Sequence, residues 1–142
     1  MPNRSDVAVL GMGNILYRDE GVGVYAVHHL RTAYRFEPAI ELVDGAMLGF
    51  ALTDHFRPGA RLLVLDALLA DSAPGTVYRL PAEELLRLGP DTQPMAHEVD
   101  PVQQLKVATA LGDPLELTLL GIVPADTSGF EVGLTPRLRA AF

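Results

Sequence analysis

Three short apolar segments, each followed by glycine or aspartate, constrain the fold of this chain most strongly. Residues 7–10, 40–43 and 62–65 are continuous or nearly continuous apolar runs, a pattern typical of strands buried on both faces. Segments with helical apolar spacing, at residues 21–34 and 47–56, separate them. This alternation predicts a βαβαβ arrangement in which the three strands run parallel.

The second half of the chain extends the same sheet. Residues 76–80 alternate apolar and polar side chains after a turn that contains Pro74 and Gly75, so we predict an antiparallel edge strand there. Helices are predicted at residues 81–86 and 98–111, and a last strand at 115–123. A final helix should begin at Thr135-Pro136 and end with the chain at residue 142. It is short for a helix that covers a sheet, so we expect it to be truncated.

These elements predict the fold class α/β. We expect a three-layer sandwich in which a mostly parallel, twisted sheet of about five strands lies between helices on both faces, with one antiparallel edge strand. We also expect residues 1–142 to form a single domain, because 142 residues is an ordinary domain length.

Composition excludes several classes of protein. The formal net charge of −7 disfavours binding to nucleic acid or to an anionic membrane. The chain has no cysteine, which excludes disulfides, thiolate metal sites and a cysteine nucleophile. The first six residues contain no apolar core of a signal peptide, and no apolar run reaches the length of a membrane span. We therefore expect a cytoplasmic protein.

Acidic residues follow the predicted parallel strands at the point where each strand ends. Asp19 and Glu20 come after the first strand, Asp44 after the second and Asp66 after the third, while His97 precedes a helix that descends from the same edge. Because ligands of open α/β sheets bind outside the carboxyl ends of the strands, we expect Glu20, Asp44, Asp66 and His97 to meet there.

Two or three carboxylates with one imidazole suit a divalent ion such as zinc, nickel, manganese or iron, or the activation of water. Simpler roles remain open for each residue. Asp66 could cap a turn or helix, Glu20 could complement a helix dipole, Asp44 could serve the Asp-Gly turn, and His97 could pack near a helix start. On the helix over 21–34, we expect His28 to be half-buried.

Common nucleotide and serine-hydrolase motifs are incomplete or absent. A dinucleotide fingerprint that starts at Gly11-Met12-Gly13 needs a third glycine where this chain has Leu16. No phosphate-binding G-x-x-x-x-G-K-[ST] loop and no G-x-S-x-G motif occurs. A nucleotide-binding domain is left as a rival that the missing glycine argues against.

The segment from Gly11 to Gly23, which reads GMGNILYRDEGVG, resembles the opening motif G-x-G-N-x-L-x-x-D-[DE]-x-x-G of the nickel–iron hydrogenase maturation proteases. The resemblance continues through Asp44-Gly45, Leu65-Asp66-Ala67 and Ala96-His97, and through the segments 119–124 and 133–136. These motifs span nearly the whole chain in the family's order. Where the family often has a second glycine and a hydroxyl residue after Asp-Gly, this chain has Ala46 and Met47.

The resemblance implies an endopeptidase that removes a C-terminal extension from the precursor of a [NiFe] hydrogenase large subunit after nickel insertion. It implies that Glu20, Asp66 and His97 recognise the nickel of the precursor, with another divalent metal as an alternative occupant of the resting protein. Asp19 and Asp44 are further candidates for substrate binding or water activation. The alternative is a metal-binding assembly chaperone of the same fold that leaves the precursor uncut.

Overall fold

In a computed structural model that describes residues 7–48, 54–56, 59–87, 101–112, 115–128 and 131–142, five strands of these residues form one sheet in the order β2-β1-β3-β5-β4. The strands are β1 (Val7–Gly11), β2 (Glu41–Asp44), β3 (Arg61–Ala67), β4 (Val77–Pro81) and β5 (Glu116–Ile122). The helices are α1 (Val22–Ala33), α2 (Gly45–Leu48), α3 (Ala82–Arg87), α4 (Pro101–Ala110) and α5 (Pro136–Ala141), and a 3-10 turn (Arg18–Gly21) precedes α1.

The pairing of the strands confirms the predicted mixed sheet. β1 pairs in parallel with β2 and β3, and β3 pairs in parallel with β5. β4 lies at one edge and pairs antiparallel with β5, as the short turn before it predicts. The carboxyl ends of four strands therefore lie along one edge of the sheet, which we call the carboxyl edge.

Apolar side chains cover both faces of the sheet. On one face, the strand residues pack with Leu85 of α3 and Leu105 of α4. On the other, they pack with Val27 of α1, and a smaller cluster joins Val22, the strand residue Ala67 and Leu138 of α5. Alternate residues of each strand supply the two cores, because successive side chains of a strand point to opposite faces.

Two helix starts differ from the predicted ones for a local reason. The helix expected from residue 21 begins with the 3-10 turn at Arg18–Gly21 and becomes α-helical at Val22. The helix expected from residue 47 begins at Gly45, because the Asp44 Oδ1 accepts a hydrogen bond from the Ala46 amide at 2.9 Å and so acts as an N-cap.

Helices α4 and α5 can be compared with the last two predicted helices. The helix expected over 98–111 is α4, whose residues 98–100 lie outside the described part of the chain. The predicted cap of the last helix is confirmed, since the Thr135 side chain accepts a hydrogen bond from the Leu138 amide. Within the ranges that the structure describes, none of the helices is long and apolar enough to cross a membrane.

Candidate active site at the carboxyl edge of the sheet

The strand register places two predicted acids at the same level of the sheet. Gly11 at the end of β1 pairs with Asp44 on one side and with Leu65 on the other, and Asp66 follows Leu65 directly. Asp44 and Asp66 therefore flank the end of β1 from its two neighbouring strands. The register therefore places both acids at the carboxyl edge, where the sequence analysis expected them.

The two acids point to opposite faces of the sheet at that edge. Asp66 continues the alternation of Leu62 and Val64, which pack toward α3 and α4. Asp44 continues the alternation of Leu42, which packs on the α1 side. The structure thus brings both side chains to the edge, but only Asp66 lies on the face that α4 covers.

Asp44 is engaged by a histidine on α1. The His28 Nε2 lies 2.7 Å from the Asp44 Oδ2, while the Asp44 Oδ1 caps α2. Asp44 therefore ties the end of β2 to two helices. We expected His28 to be half-buried, and its side chain is 48% exposed, since it contacts Asp44 at the end of β2. Sequence analysis missed this pair, because the two residues are 16 positions apart and no pattern in the sequence indicates their contact.

The loop that carries Glu20 packs against the sheet through glycines. Gly13 has a φ of +132°, and a Cβ there would lie 2.0 Å from the carbonyl oxygen of Glu20. At Gly23, a Cβ would lie 2.0 Å from the Leu65 carbonyl oxygen. These approaches, which a side chain would prevent, hold the start of α1 directly on β3, so that Glu20 and Asp66 occupy adjacent parts of the edge.

Asp19 is a buried anchor beside this loop. Its Oδ2 accepts hydrogen bonds from the amides of Ala125 and Asp126 at 2.9 and 3.1 Å and from the Thr135 hydroxyl at 2.8 Å, and its Oδ1 accepts one from the Thr135 amide at 2.8 Å. A buried carboxylate needs such partners. These contacts give Asp19 a structural role, while its predicted part in substrate binding stays a prediction.

Asp66 is buried more deeply than Glu20, the other residue predicted to contact nickel that the structure describes. It is 2% exposed, and its Oδ1 accepts a hydrogen bond from the Ala67 amide at 2.8 Å. Glu20 is partly exposed. His97 lies outside the described residues, and within those residues no three His, Asp or Glu side chains are grouped as a metal site.

A charged turn lies next to the loop of Glu20. The Arg18 guanidinium contacts Glu131 and lies 3.8 Å from the Asp126 carboxylate. Hydrogen bonds from the Ser128 hydroxyl and amide, with a smaller contribution from Arg18, lower the pKa of Asp126 below its usual value. The carboxylate of Asp126 is thus held in its ionised form, where it accepts both Ser128 hydrogen bonds.

Comparison with known families and proteins identifies relatives of this chain. The model of the family described as hydrogenase maturation protease matches residues 24–142. The hydrogenase expression/formation protein HupD of Thiocapsa roseopersicina is 33% identical over 140 residues, which are 98% of this chain and 63% of HupD. The hydrogenase 2 maturation protease of Escherichia coli (strain K12) is 32% identical over 136 residues, 94% of this chain and 82% of that protein.

Comparison with solved structures identifies proteins that share the fold of this chain. The hydrogenase maturating endopeptidase HybD of Escherichia coli superposes with a TM-score of 0.76 at 31% identity, over 94% of this chain and 83% of HybD. HybD of Thermococcus kodakarensis gives a TM-score of 0.71 at 26% identity, over 95% of this chain and 90% of that one. The chain spans 63%, 65% and 66% of the length of three curated relatives.

Proposed function

The chain belongs to the hydrogenase maturation protease family, and from this premise we propose that it is an endopeptidase that cleaves the precursor of a hydrogenase large subunit. The relatives' names include a maturation protease and a maturating endopeptidase. The proposed substrate is the C-terminal extension of a nickel-loaded [NiFe] hydrogenase precursor, and the proposed site is the carboxyl edge with Glu20, Asp66 and His97.

The observation that carries this proposal is the position of Asp66. Its carboxylate is almost fully buried at the end of a central strand, on the face that α4 covers. Ligands of open α/β sheets bind outside the carboxyl ends of the strands, so Asp66 lies where a substrate of such a sheet would bind. Glu20 supplies a second, more accessible carboxylate from the neighbouring loop.

The start of α4 supports the inclusion of His97. α4 leads into β5, which runs parallel to β3, so the first residue of α4, Pro101, lies toward the carboxyl edge. His97 precedes Pro101 by four positions, and four residues span at most about 14 Å. Chain connectivity is therefore compatible with an imidazole beside Asp66.

The donor set fits a nickel ion that arrives with the substrate. Two carboxylates and an imidazole leave coordination positions for ligands from the precursor, and a nickel ion bound there would lend positive charge beside the bond to be cut. In the proposed reaction, a carboxylate of the pair accepts a proton from the water that attacks the scissile carbonyl. The same group then returns that proton to the leaving amide nitrogen, so that both new ends of the peptide are released.

The test is incubation of this protein with nickel-loaded and nickel-free precursor from the same organism. We expect a size shift on gel electrophoresis and a mass loss equal to the C-terminal extension, for the loaded form only. Cleavage of both forms would refute the recognition of nickel while keeping the peptidase. Stable binding of the loaded precursor without any mass loss would refute the peptidase and support the assembly chaperone.

A further inference from the structure

Three exposed apolar side chains lie on two backbone segments beside the loop of Glu20. They are Leu16, Tyr17 and Val132, which are 39%, 37% and 65% exposed, and we call these three residues the platform. Leu16 and Tyr17 stand four and three positions before Glu20 in the same loop. The platform is therefore continuous in the chain with one of the acids of the proposed site.

The platform is held together by the backbone. A parallel β-bridge pairs Tyr17 with Glu131, the Arg18 amide donates to the Glu131 carbonyl at 3.0 Å, and the Glu131 amide donates to the Leu16 carbonyl at 2.9 Å. These bonds place Val132 next to the loop of Leu16 and Tyr17. Exposed apolar groups on such an ordered support are typical of a recognition surface.

Side-chain contacts fix the same segment further. Arg18 adopts a φ of +50°, a left-handed conformation that is unfavourable for a residue with a side chain. Its guanidinium contacts Glu131 and Asp126, and the neighbouring Asp19 is anchored to Thr135. Contacts within the chain therefore support this loop conformation.

The electrostatic surroundings of the platform are acidic. At the described strand ends and in the described loops that follow them, at residues 12–21, 44–46, 66–76, 123–128 and 131–135, seven Asp or Glu residues stand against one arginine, Arg18. α5 adds Arg137 and Arg139, and Arg139 donates to the Leu134 carbonyl at 3.4 Å. Because the acids of the carboxyl edge outnumber these three arginines, a segment that binds there gains most if it is positively charged.

We propose that the platform binds an extended segment of the precursor that carries apolar side chains and net positive charge, next to the bond to be cut. This inference rests on the proposed function and names the residues that set its specificity. The apolar side chains of the segment cover Leu16, Tyr17 and Val132, and its cationic groups face the acids of the edge. Leu16, Tyr17 and Val132 contribute to binding and take no part in the chemical step.

The experiment measures KM and kcat for the nickel-loaded precursor with the variants Tyr17→Ala and Val132→Ser. Val107→Ser is the matched control, because Val107 is an exposed valine, 47% exposed, on α4. Loss of one apolar contact in a bound segment should raise KM about 5- to 10-fold with kcat unchanged. Val107→Ser should leave both constants unchanged, and KM of the wild-type protein should rise with added salt.

The outcomes separate this inference from the proposed function. If the wild-type protein cleaves the precursor and both platform variants keep its KM, the platform inference is overturned and the peptidase stands. If KM does not respond to salt, the positively charged partner is refuted. If the platform variants change the oligomeric state in light scattering without a change in KM, the platform is a contact between copies and the inference fails.

A binding measurement covers the case in which no cleavage occurs. The dissociation constant of the precursor is measured by biolayer interferometry on Asp66→Asn protein, with and without each platform substitution. A 5- to 10-fold weaker complex for Tyr17→Ala and Val132→Ser, and an unchanged one for Val107→Ser, would support the platform although the proposed reaction had failed. Equal dissociation constants would overturn it.

Discussion

Asp19 and Thr135 are joined by two hydrogen bonds, one from the Thr135 amide and one from its hydroxyl, each 2.8 Å long. Thr135 is also the N-cap of α5. A single carboxylate near the start of α1 therefore fixes the start of the last helix, 116 positions further along the chain.

Replacement of Asp19 by alanine should destabilise the protein strongly. The substitution leaves the partly buried amides of Ala125 and Asp126 and both buried donors of Thr135 without their acceptor, so we expect a loss of about 3–5 kcal/mol in the free energy of unfolding. Urea unfolding followed by circular dichroism measures it. Asp71→Ala, at an exposed aspartate, is the control and should stay within about 0.5 kcal/mol of wild type. Equal free energies of unfolding for the two variants would contradict the anchoring role of Asp19.

The variants Asp66→Asn and Glu20→Gln should abolish processing while they preserve the fold. Each replaces a carboxylate by an amide of nearly the same shape, so the packing around Asp66, which is 2% exposed, is kept while its charge is lost. We expect the rate of precursor cleavage to fall at least about 100-fold, with the unfolding midpoint close to that of wild type. Glu84→Gln on α3 serves as the control. Processing at the wild-type rate by both variants would remove these acids from the site.

Ser128→Ala should lower stability in a pH-dependent way. The hydrogen bonds of Ser128 lower the pKa of Asp126 in the folded protein, so the contribution of this carboxylate is present above its unfolded pKa of about 3.9 and is lost as the pH falls through the folded value. The variant should therefore be less stable than wild type at pH 7, and this gap in the free energy of unfolding should narrow as the pH falls through the lowered pKa of Asp126. Urea unfolding curves at several pH values measure the gap. A gap that stays constant down to pH ~2 would disprove the linkage.

Two glycine-to-alanine variants should differ because their neighbours differ. A Cβ at Gly23 would lie 2.0 Å from the Leu65 carbonyl oxygen, whereas one at Gly112, where φ is +82°, would meet nothing within 4 Å. We expect Gly23→Ala to cost about 3 kcal/mol or more and Gly112→Ala, which meets only backbone strain, about 1 kcal/mol. Chemical denaturation measures both variants. The reverse order would show that α1 is not seated on β3 by this contact.

The apolar runs were sufficient to predict the sheet. Residues 7–10 and 62–65 predicted β1 and β3, and the alternating run at 76–80 predicted the antiparallel edge strand. β3 extends past the apolar run to Asp66 and Ala67, because their backbones pair with Gly121 and Ile122 of β5. When pairing with a neighbouring strand determines where a strand ends, the residues at that end carry no sequence pattern that predicts it.

The candidate site was only partly predictable. The acids at the ends of β2 and β3 were predicted from topology, and their register confirms the common edge. The anchoring of Asp19 could not be predicted, since its partners are chiefly backbone amides more than 100 positions away, which leave no pattern of side chains. The pairing of His28 with Asp44 was missed because its distance depends on how α1 lies across the end of β2.

The contact of Gly23 with the Leu65 carbonyl holds the start of the helix that follows the Glu20 loop against the strand of Asp66. In the proposed reaction this contact limits how far the two acids can move relative to each other, so the incoming polypeptide must fit the spacing between them. A precursor that has not completed its own folding would present a surface whose shape does not fit the proposed site. Selection of the folded precursor would in that case follow from the fixed spacing of the two acids in the protease.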